Sequence, residues 1–275
     1  MELLKIGFQG VKGAFSEQAL YNFFQEKVEI VAVKTFEDIC LSLDNNLIEY
    51  GVLPIENSST GAITDVYDLI NKYDCYIVGE THVKVNHNLM GINGCNLEDI
   101  KEVYSHPQAF EQSKDFLKNY NWKLVPYYNT AKSAEYIMKK NSKNIAAIGS
   151  TKAAQIYNLN ILASNINSNN QNTTRFIILG KKLETNPHCN KISVVLSTEH
   201  RAGALYNVLK HFAENNINML KIESRPIGHT PWEYNFYIDF EGNIENETIK
   251  KALLHMEKDC HHFKILGNYK QVDKK

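Results

Sequence analysis

KISVVLSTEHRAGALYNVLKHFAENNINMLKIESRP, residues Lys191–Pro226, changes its apolar period twice. Lys191 to Ser197 is a short run rich in β-branched residues and reads as a strand. From Ala202 to Asn215, Leu205, Val208, Leu209 and Phe212 recur at helical spacing, and Asn218 to Arg225 returns to a strand. Downstream come a turn at Gly228 to Pro231, a strand at Glu233 to Phe240, a helix at Asn246 to Glu257 and a last strand near Phe263 to Leu266. The order βαββαβ in ~80 residues is the ferredoxin-like split unit.

Upstream the pattern differs. Short β-type runs (Leu4 to Phe8, Val28 to Val33, Gly51 to Ile55, Tyr76 to Val78, Lys101 to Tyr104, Lys123 to Tyr127, Ile145 to Ile148, Phe176 to Leu179) alternate with amphipathic stretches such as Ser16 to Gln25, Phe36 to Asn45 and Thr130 to Lys139. Such alternation argues for an α/β sheet covered by helices. The pattern breaks at Leu183 to Asn190, where Thr185, Asn186 and Pro187 make a linker, so the chain divides into residues 1–182 and 191–270. The Asn-rich stretch Asn165 to Asn172 reads by composition as a polar, mobile loop.

The strand ends in the first region share a chemistry. Gly10 to Ser16, Asn57-Ser58-Ser59, Ser105-His106-Pro107, Asn129-Thr130 and Gly149-Ser150-Thr151 each place a hydroxyl or amide beside the expected start of a helix. Any one of them is ordinary N-capping. Together on one sheet edge they suit a small anion, drawn by free N–H groups and helix dipoles.

Composition excludes other partners. With 30 Lys and Arg against 31 Asp and Glu, the chain has no broad field for nucleic acid or anionic membrane, and no apolar run approaches the ~20 residues of a membrane span. The reading is a cytoplasmic protein. Five scattered cysteines without Cys-x-x-Cys spacing, and histidines without ligand spacing, imply neither a metal nor a cofactor. Only three of the 30 basic residues are arginines, and Arg175 and Arg225 fall inside compact polar strings. Arginine alone offers a planar fork for a carboxylate, so those two positions carry information.

The strings Leu53-Pro54-Ile55-Glu56-Asn57-Ser58, Ser105-His106-Pro107-Gln108, Thr173-Thr174-Arg175-Phe176 and Glu223-Ser224-Arg225-Pro226 resemble, in this order and spacing, prephenate dehydratase. Gly7 to Gly10 and Ala14 to Glu17 look like that family's first loop. The resemblance implies a catalytic region of two α/β lobes, similar to a periplasmic binding protein, followed by a phenylalanine-sensing ACT domain. The expected activity is conversion of prephenate to phenylpyruvate with loss of water and carbon dioxide. With no chorismate mutase segment ahead of the first loop, a stand-alone enzyme is expected.

Residue by residue, the resemblance makes Thr174 the catalytic hydroxyl, hydrogen-bonding the leaving oxygen, with Arg175 clamping a substrate carboxylate. Asn57 and Gln112 match positions linked to substrate binding, and Glu56 is the nearest source of a proton by motif. Ser58, Ser105, Gln108, Thr130, Ser150 and Phe176 are expected to line the substrate site. Gly203, Ala204 and Leu205, with Glu223, Ser224, Arg225 and Pro226, resemble the two phenylalanine-contact motifs, which implies inhibition by phenylalanine and a homodimer or homotetramer through the ACT domains. Two departures stand out. Ser168 replaces an Asp common in the family, which leaves the contacts of its loop open, and Ala202 replaces a Pro before Gly203, giving a less rigid helix start. Arogenate dehydratase and a non-catalytic amino-acid sensor remain alternative readings.

Overall fold

The structure is a computed structural model and describes residues 3–228 and 232–272. The turn expected at Gly228 to Pro231 therefore lies, beyond Gly228, outside the described residues.

The chain opens with β1 (Lys5–Gln9), α1 (Phe15–Phe23), β2 (Glu29–Val33), α2 (Phe36–Asp44), β3 (Tyr50–Asn57), β4 (Gly61–Ala62), α3 (Thr64–Lys72) and β5 (Tyr76–Lys84). It then crosses into a second sheet through β6 (Asn88–Gly91), β7 (Glu102–Ser105), α4 (Pro107–Gln112), α5 (Lys114–Leu117), β8 (Lys123–Pro126), α6 (Thr130–Lys140), β9 (Ile145–Gly149), α7 (Thr151–Ile156) and β10 (Asn160–Ala163). It returns as β11 (Thr173–Gly180) and ends in β12 (Lys191–Ser197), α8 (Ala204–Glu214), β13 (Met219–Pro226), β14 (Tyr234–Glu241), α9 (Glu247–Lys258) and β15 (His262–Tyr269).

These elements make two lobes and a C-terminal unit. In the first lobe β1 pairs in parallel with β2 and β3, joined by helical crossovers, while β11 inserts antiparallel between β3 and β5. The second lobe is a separate sheet in the order β10-β6-β9-β7-β8. The C-terminal unit follows the expected βαββαβ order, with its sheet ordered β13-β14-β12-β15. All seven residues of β12 are buried. Ile192, Val194 and Leu196 pack under α8 and α9 beside Val208, Phe212 and Met256, whereas Val195 joins Tyr67, Ile70 and Ile77 of the first lobe. A strand covered on both faces loses alternation, which is why it reads as one apolar run.

Sequence reading missed β4, β6 and β10. β6 is four buried residues, Asn-Leu-Met-Gly, with no polar alternation, and β10 is a short edge strand. Asn57-Ser58-Ser59 starts no helix. It is a hairpin turn into β4, with Asn57 Oδ1 accepting from the N–H groups of Ser59 and Thr60. The Asn-rich loop is the second of two crossings between the lobes, zipped onto the first. Asn167 accepts from His87 N at 2.7 Å and donates to Val85 O at 2.9 Å, Asn88 Oδ1 accepts from Asn165 N, and Val85 N donates to Asn172 O. Ser168 accepts from Asp115 N and donates its own N–H to Gln112 O, which ties the loop to α4 and α5.

The first lobe and the C-terminal unit share one continuous sheet through a single parallel rung, Gly267 against Ile77. A Cβ at Gly267 would collide with the backbone carbonyl oxygen of Ile77, so only glycine permits this approach. Gly267→Ala is expected to cost about 1–3 kcal/mol in urea unfolding. An unchanged unfolding midpoint would show that the rung opens without strain.

Candidate active site

Two lobes joined by two crossings leave a cleft between them, here a cavity of about 380 Å³. From the first lobe it is lined by Gln9, Gly10, Ala14, Phe15 and Ser16 of the first loop, by Pro54 and Asn57 of β3, and by Thr174 and Phe176 of β11. From the second lobe and the crossings come His87, His106, Gln108, Gln112, Asn129 and Thr130. The expected Thr174, Asn57, Gln108, Gln112, Thr130 and Phe176 thus meet in one place.

Thr174 is held by its cross-strand partner. Asn57 Nδ2 donates to Thr174 Oγ1 at 2.9 Å and to Asn172 Oδ1 at 2.7 Å, while its Oδ1 serves the hairpin turn. With a lone pair of Thr174 occupied by an amide donor, its own proton is directed elsewhere. A β-bulge lies at this rung: Arg175 faces Glu56, but Phe176 faces Pro54, leaving Ile55 unpaired. Proline has no N–H for the ladder, so the bulge accommodates Pro54 in an otherwise central strand.

Across the cleft, Gln108 Nε2 donates to Thr60 Oγ1 at 3.0 Å, bridging the lobes. Gln112 Oε1 lies 2.9 Å from His87 Nε2, and since an amide oxygen only accepts, His87 carries its proton on Nε2. His87 Nδ1 is buried without a partner, and burial lowers the pKa of His87 as it does that of His106. No Lys, Arg, Asp or Glu lines the cleft among the described residues. The start of α6 offers its dipole instead, with Asn129 Oδ1 capping the helix through Lys132 N at 2.7 Å, whereas the first turn of α1 already holds the buried Glu17 carboxylate, which accepts from Gly13 N at 2.6 Å.

Five expected site residues are placed otherwise. Side chains alternate along a strand, so Thr174 and Phe176 face the cleft while Arg175, between them, faces away. Its Nη1 lies 2.6 Å from Asp239 and 3.4 Å from Glu80, and Glu56, its neighbour across the rung, points to the same far side and pairs with Lys221 at 3.0 Å. Burial opposes the charge of Arg175, but Asp239 above all outweighs it and raises the pKa further. Burial likewise opposes the Asp239 carboxylate, yet Arg175 and Lys191 hold its pKa below the usual value. Arg175 therefore does not reach a ligand beside Thr174, and Glu56 does not face the cleft. Ser58 accepts from Thr173 N and donates to Gln171 O at the hairpin. Ser105 is fully buried, donating to Ile148 O, and Ser150 caps α7 while donating to Gly13 O.

The C-terminal motifs fall together. Ser197, at the end of β12 before the α8 turn, registers through Asn235 with Arg225, so Gly203-Ala204-Leu205 and Glu223-Ser224-Arg225-Pro226 lie at one end of the sheet. Gly203 takes φ +80 at the N-cap of α8, a left-handed conformation that favours glycine. Arg225 forks onto Asp68 of α3, at 2.5 and 3.3 Å. Sequence reasoning had Asn129 among the polar helix starts suited to an anion but missed His87 and Gln9 as cleft residues. The Asn86-His87-Asn88 string was the available signal for His87, and it becomes meaningful only once the chain is seen to change lobes there.

The sequence matches the family model described as prephenate dehydratase over residues 6–184. The bifunctional chorismate mutase/prephenate dehydratase of Enterobacter agglomerans is 37% identical over 272 residues, 96% of this chain and 70% of that protein. Arogenate dehydratase/prephenate dehydratase 2 of Arabidopsis thaliana is 36% identical, over 97% of this chain and 72% of that protein. Among solved structures, prephenate dehydratase from Arthrobacter aurescens in complex with L-Phe superposes with a TM-score of 0.89 at 28% identity, covering 98% of this chain and 90% of that one. A structure described as GqqA, a novel type of quorum quenching acylase, gives the same TM-score and identity, with 98% of each chain covered. With the family match running across most of the chain and these relatives spanning nearly all of it, this chain belongs to the prephenate dehydratase family.

Proposed function

We propose that this chain converts prephenate to phenylpyruvate, with Thr174 acting on the leaving hydroxyl. The observation that carries the reading is the Asn57–Thr174 hydrogen bond, which leaves the threonine proton as the donor at the edge of an uncharged cleft. Prephenate is a dianion whose ring becomes aromatic when hydroxide and carbon dioxide depart. The start of α6 and the neutral amides of Gln108 and Gln112 suit carboxylates without adding a competing charge. An aliphatic hydroxyl is a weak acid, so Thr174 hydrogen-bonds the departing oxygen while the net proton is relayed from water. A poorly hydrated cleft favours loss of a carboxylate as neutral carbon dioxide.

The acylase described for one structural neighbour is not favoured. Acyl transfer requires a base on the nucleophile. Among the described residues, Thr174 Oγ1 has hydrogen-bonding contact with the Asn57 amide and with no imidazole or carboxylate. Prephenate and arogenate differ in the head group of one side chain, and comparing turnover on both compounds decides between them.

In this reading residues 1–182 are the catalytic domain, residues 191–270 an ACT domain, and the protein a cytoplasmic homodimer or homotetramer. No helix among the described residues is long and apolar enough to cross a membrane. Support for the regulatory part comes from the two motifs at one end of the sheet, from the outer edge of β13, unpaired among the described residues, and from the L-Phe complex of the Arthrobacter relative.

Thr174→Ala is expected to lower kcat by about 10²–10⁴-fold with little change in KM, and Thr174→Ser to recover part of the loss. Wild-type turnover in Thr174→Ala would end the mechanism. Phenylalanine is expected to inhibit, so unchanged rates at saturating phenylalanine would refute the regulatory assignment. The cleft histidines set a pH dependence of stability. Because burial lowers the pKa of His87 and His106 from 6.5, the unfolded chain binds more protons between the folded values and 6.5. Stability is then full above 6.5 and declines as pH falls through that window. Urea midpoints should drop between about pH 7 and about pH 5, less steeply in His87→Gln; equal slopes in both proteins would contradict this.

A further inference from the structure

Asn57 and Thr174 face the cleft, while their chain neighbours Glu56 and Arg175, paired with each other across the same two strands, face the C-terminal unit. Each back-facing side chain ends on a charge from that unit. Asp239 of β14 takes Arg175 at 2.6 Å, and Lys221 of β13 takes Glu56 at 3.0 Å. We infer that Arg175 and Glu56 are positioning residues through which the C-terminal unit sets the Asn57–Thr174 hydrogen bond. The inference deepens the dehydratase reading and rests on it for its kinetic assay.

Three observations support this. The Arg175 and Asp239 side chains are only 12% and 11% exposed, so solvent screens their attraction far less than it would a surface pair. With its guanidinium held by Asp239 and Glu80, Arg175 serves the seam and leaves the cleft neutral. The bulge follows Arg175 immediately and leaves Ile55 unpaired, so the ladder is locally free to change twist beside Thr174. Hydrogen bonds weaken steeply with misalignment, and a small rotation at this rung suffices to spoil the Thr174 geometry.

The strand carrying Lys221 also carries the candidate effector motif, and Arg225 at its end is forked onto α3 of the catalytic lobe. Any ligand that moves β13 against α3 therefore moves Lys221 against Glu56. A docking contact of purely structural value would change stability alone. A positioning contact changes kcat.

The test uses the full chain with Asp239→Asn and Glu56→Gln, assayed on prephenate with and without phenylalanine. Asp239→Asn is expected to lower kcat about tenfold with KM within about twofold, and Glu56→Gln to lower it about threefold with the shape of the pH profile retained. Both variants should shift half-inhibition by phenylalanine at least about fivefold. Hydrogen exchange of peptides spanning 173–176 should quicken in both while the β6 to β10 sheet is unchanged, a readout independent of turnover. Wild-type kcat, phenylalanine response and exchange in a folded variant would overturn the inference. So would a raised KM with unchanged kcat, which would return Arg175 to substrate binding, or loss of one limb of the pH profile in Glu56→Gln, which would make Glu56 a proton donor. If Asp239→Asn fails to fold, the more exposed Glu56→Gln carries the measurement. Wild-type protein without prephenate turnover would refute the dehydratase reading, and exchange alone would then decide the coupling.

Discussion

Everything at the centre of this molecule depends on β11 lying antiparallel between β3 and β5, with side chains alternating to its two faces. One strand therefore serves two surfaces. Thr174 and Phe176 are delivered to the cleft, and Arg175 is delivered to the C-terminal unit. The strand is also the last piece of the first lobe to arrive, after the chain has built the whole second lobe and crossed back. The rung of the candidate site, Asn57 against Thr174, is thus a long-range pairing that exists only when both crossings are in place.

The two surfaces are electrostatic opposites. Lined by amides, hydroxyls, two imidazoles of lowered pKa and apolar side chains such as Phe15, Phe36 and Phe176, the cleft carries no formal charge among the described residues, which leaves room for a dianion whose charge changes during reaction. The seam behind it gathers Arg175, Lys191 and Lys221 with Glu56, Glu80 and Asp239. Three cations meet three carboxylates there, and removing one partner of such a buried set costs about 3–5 kcal/mol because the survivor stays buried without its counter-charge. A buried ion cluster is poor at adding net stability but demanding about geometry. That property suits a junction whose relative placement matters more than its strength.

Much of this was legible from particular residues. The period changes between Lys191 and Phe240 gave the order of the C-terminal elements, and the strings around Asn57, Gln108, Gln112 and Thr174 named a part of the cleft from both lobes. Failures have physical causes. β6 is too short and too buried to alternate, Ser105 and Ser150 have hydroxyls that satisfy carbonyls across the fold, and the lobe crossing at 165–172 was hidden because the backbone partners of Asn167 belong to another segment.

Arg175 marks the boundary between the two kinds of information. Local periodicity gave a strand only from Phe176 to Leu179, while scarcity of arginine and motif order marked residues 173–176 as part of a candidate site, because these properties are written in neighbouring residues. The sequence reading put Thr174 and Arg175 on the same ligand; with the strand beginning at Thr173, period two parts them. Which face would meet the substrate cleft and which would meet Asp239 was decided only by tertiary structure, since β3, β5 and β14 are brought beside that strand from distant parts of the chain. A sequence states which side chains share a face; only packing chooses what that face touches.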